Sequence, residues 1–116
     1  MAFVHLRTHT EYSVVDGTLR IDDAVAAAAR DGQPACAITD LNNLFGAVKF
    51  YTAARKKGVK PIIGMEAYIL TRGSRFDKAL QVTESGGRRA AYHHIVLLAK
   101  DETGYKNLTK LCTEAH

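Results

Sequence analysis

The sequence predicts an α/β chain of mostly parallel strands joined by crossover helices. Short apolar runs, apolar at every position in 95–99, alternate with segments whose apolar residues recur at helical spacing. Uninterrupted apolar strands belong to sheets covered on both faces. Strand and helix also follow one another in the order a parallel sheet needs, because parallel neighbours must be joined by a crossover.

The first strand is expected over 3–8, followed by the polar connection "TEYSVVDGTLR". Ile21, Ala24, Val25 and Ala28 then fall at i, i+3, i+4 and i+7, with Asp22 and Asp23 in the first turn where the helix dipole favours them. Gly32 ends that helix. "ACAIT" (35–39) reads as the second strand, and "DLNN" supplies cap candidates for a helix with Leu44, Ala47, Val48, Tyr51 and Ala54 as its apolar stripe. Arg55, Lys56 and Lys57 crowd the last turn before Gly58. "KPIIGMEAYIL" (60–70) and "HHIVLLA" (93–99) are the third and fourth strands. A last helix starts near Asp101 and turns Tyr105, Leu108, Leu111, Cys112 and Ala115 inward. Residues 71–92, rich in Gly and Arg, break the rhythm and read as a solvated loop. Four strands are few for a closed barrel and the chain ends inside a helix, so a piece of a longer domain is expected.

At 116 residues there is room for one domain. No apolar run approaches the roughly 20 residues of a membrane span, and the N-terminus lacks the features of a secretory signal. Cys36 and Cys112 lie far apart in apolar patterns, which suits buried free thiols and a cytoplasmic protein. The net charge of +4 permits a nucleic-acid partner without requiring one.

On an extended first strand, His5, Arg7 and His9 would share one face. Two histidines so placed are a common start for a metal site, but Arg7 between them keeps its proton and cannot ligate a cation. Further candidates fall at or beside strand ends: Asp16, Asp40 with Leu41 after it, Glu66, and His94. Singly, each has a plain structural reading: a cap for Asp40, a partner of Arg7 for Glu66. Together they bring imidazoles and carboxylates from four strands to one end of the sheet, where α/β proteins place their chemistry.

"HLRTHTEYSVVDG", "AITDLNNLFGAVKFYTAARKKGVKPIIGMEAYIL" and "HHIVLLAKDETGYKNLTKL" resemble, in that order, the PHP (polymerase and histidinol phosphatase) domain family, in the form that opens the alpha subunits of bacterial DNA polymerase III. The resemblance covers nearly the whole chain and weakens in 71–92. It implies that residues 1–116 are the N-terminal portion of an irregular PHP-type β/α barrel, truncated at its C-terminal side, whose strand ends can hold zinc or manganese. Members with a competent site carry a His-x-His pair, then a third His, on the first strand. His5 and His9 match the first and third positions, and Arg7 stands at the second. Such members also have His after the Thr-Asp of the second strand, where this chain has Leu41. Asp16, Asp40, Glu66 and His94 still match the pattern.

Two lost imidazoles and one fixed positive charge argue for a vestigial metal site, with Arg7 bridging Asp16 or Glu66 where a cation once stood. No cofactor is then expected, and no residue of this segment is expected to be catalytic. The resemblance implies a structural domain that docks the separate proofreading exonuclease subunit and serves the rest of the polymerase III holoenzyme, with DNA engaged by the parent protein. Two other readings stay open. One is a metal-dependent phosphoesterase or 3′–5′ exonuclease using His5, His9, Asp16, Glu66 and His94, which would need zinc or manganese. The other is a nucleic-acid-binding module built on the basic 71–92 loop. A truncated barrel is also expected to self-associate through its uncovered strand edge.

Overall fold

The computed structural model describes residues 3–13, 17–70 and 92–115. Its elements are α1 (Ile21–Arg30), β1 (Ala35–Leu41), α2 (Ala47–Lys56), β2 (Lys60–Leu70), β3 (Tyr92–Leu98) and α3 (Glu102–Ala115). The sheet order is β1-β2-β3. β1 and β2 are parallel, from Ala35 opposite Lys60 to Leu41 opposite Glu66, with α2 as their crossover. β3 departs from the parallel expectation: it runs antiparallel to β2, with Glu66 opposite Val96 and Tyr68 opposite His94. Antiparallel neighbours need only a reversal of direction. That accounts for the missing helical period in 71–92, of which 71–91 lie outside the described residues.

The strand expected over 3–8 does not form as a regular ladder. Ala37 N–H donates to the His5 carbonyl at 3.0 Å and Thr39 N–H to the Thr8 carbonyl at 2.9 Å. Two residues of β1 thus span three of the first segment, and the Thr8 amide donates to the Thr39 hydroxyl at 2.9 Å. One extra residue on one side of a pairing is a bulge, which bends the chain and re-aims its side chains.

The core lies between the helices and β1. Ile21, Val25 and Ala28 of α1 pack with Cys36 and Ile38 of β1, and with Phe50 and Ala54 of α2. The α2 stripe is displaced from the expected one. Ala47, Phe50 and Ala54 are buried, while Val48 is 73% and Tyr51 50% exposed, because the bulky Phe50 fixes which face turns inward. The helix also starts later than "DLNN". Asp40 and Leu41 still belong to β1, and Asn43 is engaged elsewhere: its Nδ2 donates to the carbonyls of Tyr12 (2.8 Å) and Leu41 (3.2 Å), and its Oδ1 accepts from Phe45 N–H. Gly46 holds the N-cap position, where a Cβ would come within 2.6 Å of Ile21 Cδ1. Gly32 and Gly58 follow α1 and α2 at φ +72° and +73°, the left-handed turn that stops a helix.

On α3, Leu108 is buried, Tyr105 and Cys112 are half-buried, and Leu111, expected inward, is 47% exposed because one narrow face of this helix meets the sheet. The side chain of Ala115 lies outside the described ones. Cys36 is a buried free thiol whose pKa burial pushes up. The Cys112 Sγ lies 3.9 Å from the Asn42 carbonyl. Among the described residues no helix is long and apolar enough to cross a membrane.

Candidate functional site

Glu66 sits on the middle strand with its side chain fully buried. A lone carboxylate in such a place is costly, and three basic side chains meet it. Arg7 Nε donates to Glu66 Oε1 at 2.5 Å and Arg7 Nη2 to Oε2 at 3.2 Å, the two-point geometry that guanidinium and carboxylate favour. His9 Nε2 lies 3.1 Å from Oε1, and His94 Nδ1 lies 2.5 Å from Oε2. The Tyr68 ring meets the His94 imidazole edge-on at 4.8 Å and holds its orientation. The Arg7 guanidinium, above all, holds the Glu66 carboxyl down to about pKa 2; the two histidines add to this, and burial opposes it.

Each element contributes through its register. Arg7 reaches Glu66 from the bulged segment. Leu41 lies directly opposite Glu66 on β1, and His94 comes from the antiparallel neighbour. The expected sharing of one face by His5, Arg7 and His9 does not hold. Arg7 and His9 converge on Glu66, whereas His5 is exposed and packs edge-on against Phe3 at 4.7 Å. The bulge between His5 and Thr8 separates them.

Asp40 does not join the cluster either. It is buried in a pocket of its own, where Oδ1 accepts from Thr10 N–H (2.6 Å) and the Ser13 hydroxyl (2.7 Å), and Oδ2 accepts from the Thr10 hydroxyl (2.7 Å). The Leu41 amide donates to Ser13 Oγ, closing the connection after the first segment onto the end of β1. Asp40 is therefore a structural anchor, and the plain cap reading for it gives way to a longer-range one. Sequence reasoning passed over Thr10 and Ser13. The signal available was a run of small hydroxyl residues beside an acid that had to be buried. Asp16 lies outside the described residues.

In this arrangement most of the expected donor atoms are engaged by other groups. Both Glu66 oxygens already bond a permanently charged guanidinium, Leu41 offers no donor atom, and the Asp40 oxygens are committed to three donors. Among the described residues no three His, Cys, Asp or Glu side chains are grouped to hold a metal ion. What the arrangement does is neutralise a buried acid and tie the first segment to β2 and β3.

The chain is 48% identical over 114 residues to the DNA polymerase III subunit alpha of Aquifex aeolicus (strain VF5), a match that covers 98% of this chain and 10% of that protein. It is 45% identical over 118 residues to the DNA polymerase III subunit alpha of Thermus aquaticus, covering 100% of this chain and 9% of that one. The chain thus spans about a tenth of the length of these curated relatives. In fold it is similar to a solved amidohydrolase from Chromobacterium violaceum with bound sulfate and no metal, at TM-score 0.54 and 19% identity, over 92% of this chain and 31% of that one. The PHP domain family matches residues 5–116. With that span matched and the α/β architecture in agreement, the chain belongs to the PHP domain family.

Proposed function

We propose that residues 1–116 are a partial PHP domain, the N-terminal segment of a replicative DNA polymerase III alpha subunit acting in the cytoplasm. Its role is to support the polymerase and to dock the proofreading exonuclease subunit within the holoenzyme, while DNA is engaged by the parent protein. The positions His5, Arg7, His9, Asp16, Asp40, Leu41, Glu66 and His94 are vestigial metal-site positions, and the segment works without zinc or manganese.

The observation that carries this reading is the two-point bond of Arg7 to the buried Glu66, in a chain so similar to the opening of alpha subunits. The guanidinium supplies the charge balance that a cation would supply, and it cannot be titrated away at any physiological pH. With no hydroxide-generating metal, proofreading falls to a separate protein.

The test uses the full-length protein that carries this segment. Elemental analysis should find zinc and manganese well below one per chain. Binding of the exonuclease subunit, followed by calorimetry, should be unchanged after chelator treatment. One metal per chain, whose removal abolishes exonuclease binding or a phosphoesterase activity of this domain, would overturn the reading.

A further inference from the structure

α2 turns two large apolar side chains outward, Val48 at 73% and Tyr51 at 50% exposure. With Pro61 and Ile63 of β2, Ala99 after β3 and Tyr105 of α3, they wall a groove of about 410 Å3. None of these six is fully buried, and Ala47 is the one apolar lining residue spent on the core. Open apolar surface of this kind marks a contact site.

The charges at the rim are used locally. Asp101 Oδ1 accepts from the Gly104 amide at 2.9 Å, and Glu102 Oε1 lies 3.7 Å from Lys106 Nζ. Arg55 lies 5.8 Å over the Tyr51 ring. Lys100, Asp101 and Glu102 together leave no strong field of one sign, so the groove has nothing to hold a polyanion. Positions 61 and 63 are an odd number of residues from Glu66, which puts the groove on the opposite face of β2 from that cluster.

The sheet order shows what does not fill it. β2 is the middle strand, with α2 on one side of the groove and α3 on the other. Strands that complete a barrel add beyond β3 and beyond the first segment, and their helices follow them away from β2. The curated relatives are about ten times as long as this chain, and the similar solved amidohydrolase about three times. A completed barrel therefore leaves most of such a relative's length outside it.

We propose that a segment of the parent chain from beyond the barrel packs into the α2–α3 groove, making this face an interface between domains of one polypeptide. An apolar side chain of that segment enters between Val48, Tyr51 and Tyr105, and the phenol rings suit a contact that is apolar inside and polar at its rim. Tethering favours such a segment over a free partner or a second copy, because it is held at high effective concentration. The proposal rests on the reading of residues 1–116 as the opening of a longer protein, which the intact mass of the parent protein tests separately.

The test is photo-cross-linking of the purified full-length protein with p-benzoylphenylalanine in place of Val48. Unchanged circular dichroism checks the fold, and the same replacement of Tyr51 serves if Val48 fails that check. Irradiation should join the probe to a peptide of the same chain from beyond the barrel. The yield should stay constant over about a hundredfold dilution, as an intramolecular contact requires. A product with a second copy, whose yield falls on dilution, overturns the proposal. So does a cross-link confined to the barrel, one formed only when the exonuclease subunit is added, or none.

Discussion

Asp40 and Glu66 are two buried carboxylates whose register partners are adjacent, Met65 for Asp40 and Leu41 for Glu66, so they lie on opposite faces of the sheet. Asp40 is satisfied by neutral donors held in place by the backbone: an amide and two short hydroxyls. Glu66 is satisfied by cationic or imidazole groups on longer side chains, one of them, Arg7, 62% exposed. The difference separates an anchor from a charge balance. The donors of Asp40 cannot leave without moving the chain, whereas the guanidinium of Arg7 can exchange Glu66 for water.

The comparison breaks most sharply at Asp40. Asp40→Ala strips an acceptor from three buried donors and should cost about 4 kcal/mol in denaturant unfolding, while Asp40→Asn, which keeps the shape, should cost about half of that. Removing the partner of Glu66 should do less. Arg7→Leu leaves a buried acid with two histidines, and the solvent-exposed guanidinium gave up little on binding it, so the expected loss is about 2 kcal/mol at neutral pH. If Arg7→Leu proves the more damaging of the two, the assignment of anchor and charge balance is reversed.

Acid sharpens the same contrast. The Glu66 carboxyl titrates at about 2 in the folded chain against an ordinary 4.5. A depressed folded pKa means that the folded state binds the proton less readily. Its stabilisation is therefore complete above about pH 4.5 and fades as pH falls through the folded value near 2. The parent protein should lose about 2 kcal/mol across that window, after allowance for solvent around Arg7. In Arg7→Leu the folded carboxyl is less depressed, so the loss from this group should be smaller and be complete at higher pH, as an acid-unfolding titration would show.

The smallest expected effect on stability is at the half-buried Leu41. Leu41→His should change unfolding by less than about 1 kcal/mol and confer no zinc binding while Arg7 stays, because the fixed charge persists. Arg7→His alone leaves no ligand at position 41 and should recover little. Both changes together, in the full-length protein, should raise zinc or manganese affinity well above either single variant, since well-placed ligands act jointly. Calorimetry finding the parent as tight as the double variant would dispose of the vestigial reading.

What was legible in the sequence followed local rules. The i, i+3, i+4, i+7 set of α1, the glycines that end α1 and α2, and the span 60–70 of β2 are all where spacing and stop signals put them. The failures are non-local. Nothing in "FVHLRTHT" reports that Thr39 takes the Thr8 amide and inserts a bulge, and that bulge separates His5 from Arg7 and His9. Spacing alone does not place the α2 stripe, because Val48 and Tyr51 also offer large apolar surface beside Phe50, and tertiary packing decides among them. The pairing of Arg7 with Glu66 was legible as charge balance, since an acid on an apolar strand needs a partner. The three donors on Asp40 were not, because hydroxyls leave no mark in a count of charge.

The two thiols give the molecule a built-in clock. Cys36 is sealed in the core, with its ionisation suppressed by burial, so an alkylating reagent reaches it when β1 itself is laid open. Cys112 is half-buried where α3 touches the Asn42 carbonyl, so detachment of one helix exposes it. Labelling should proceed in two phases, Cys112 first. The interval between them measures how far α3 can lift away while the rest of the fold stays shut.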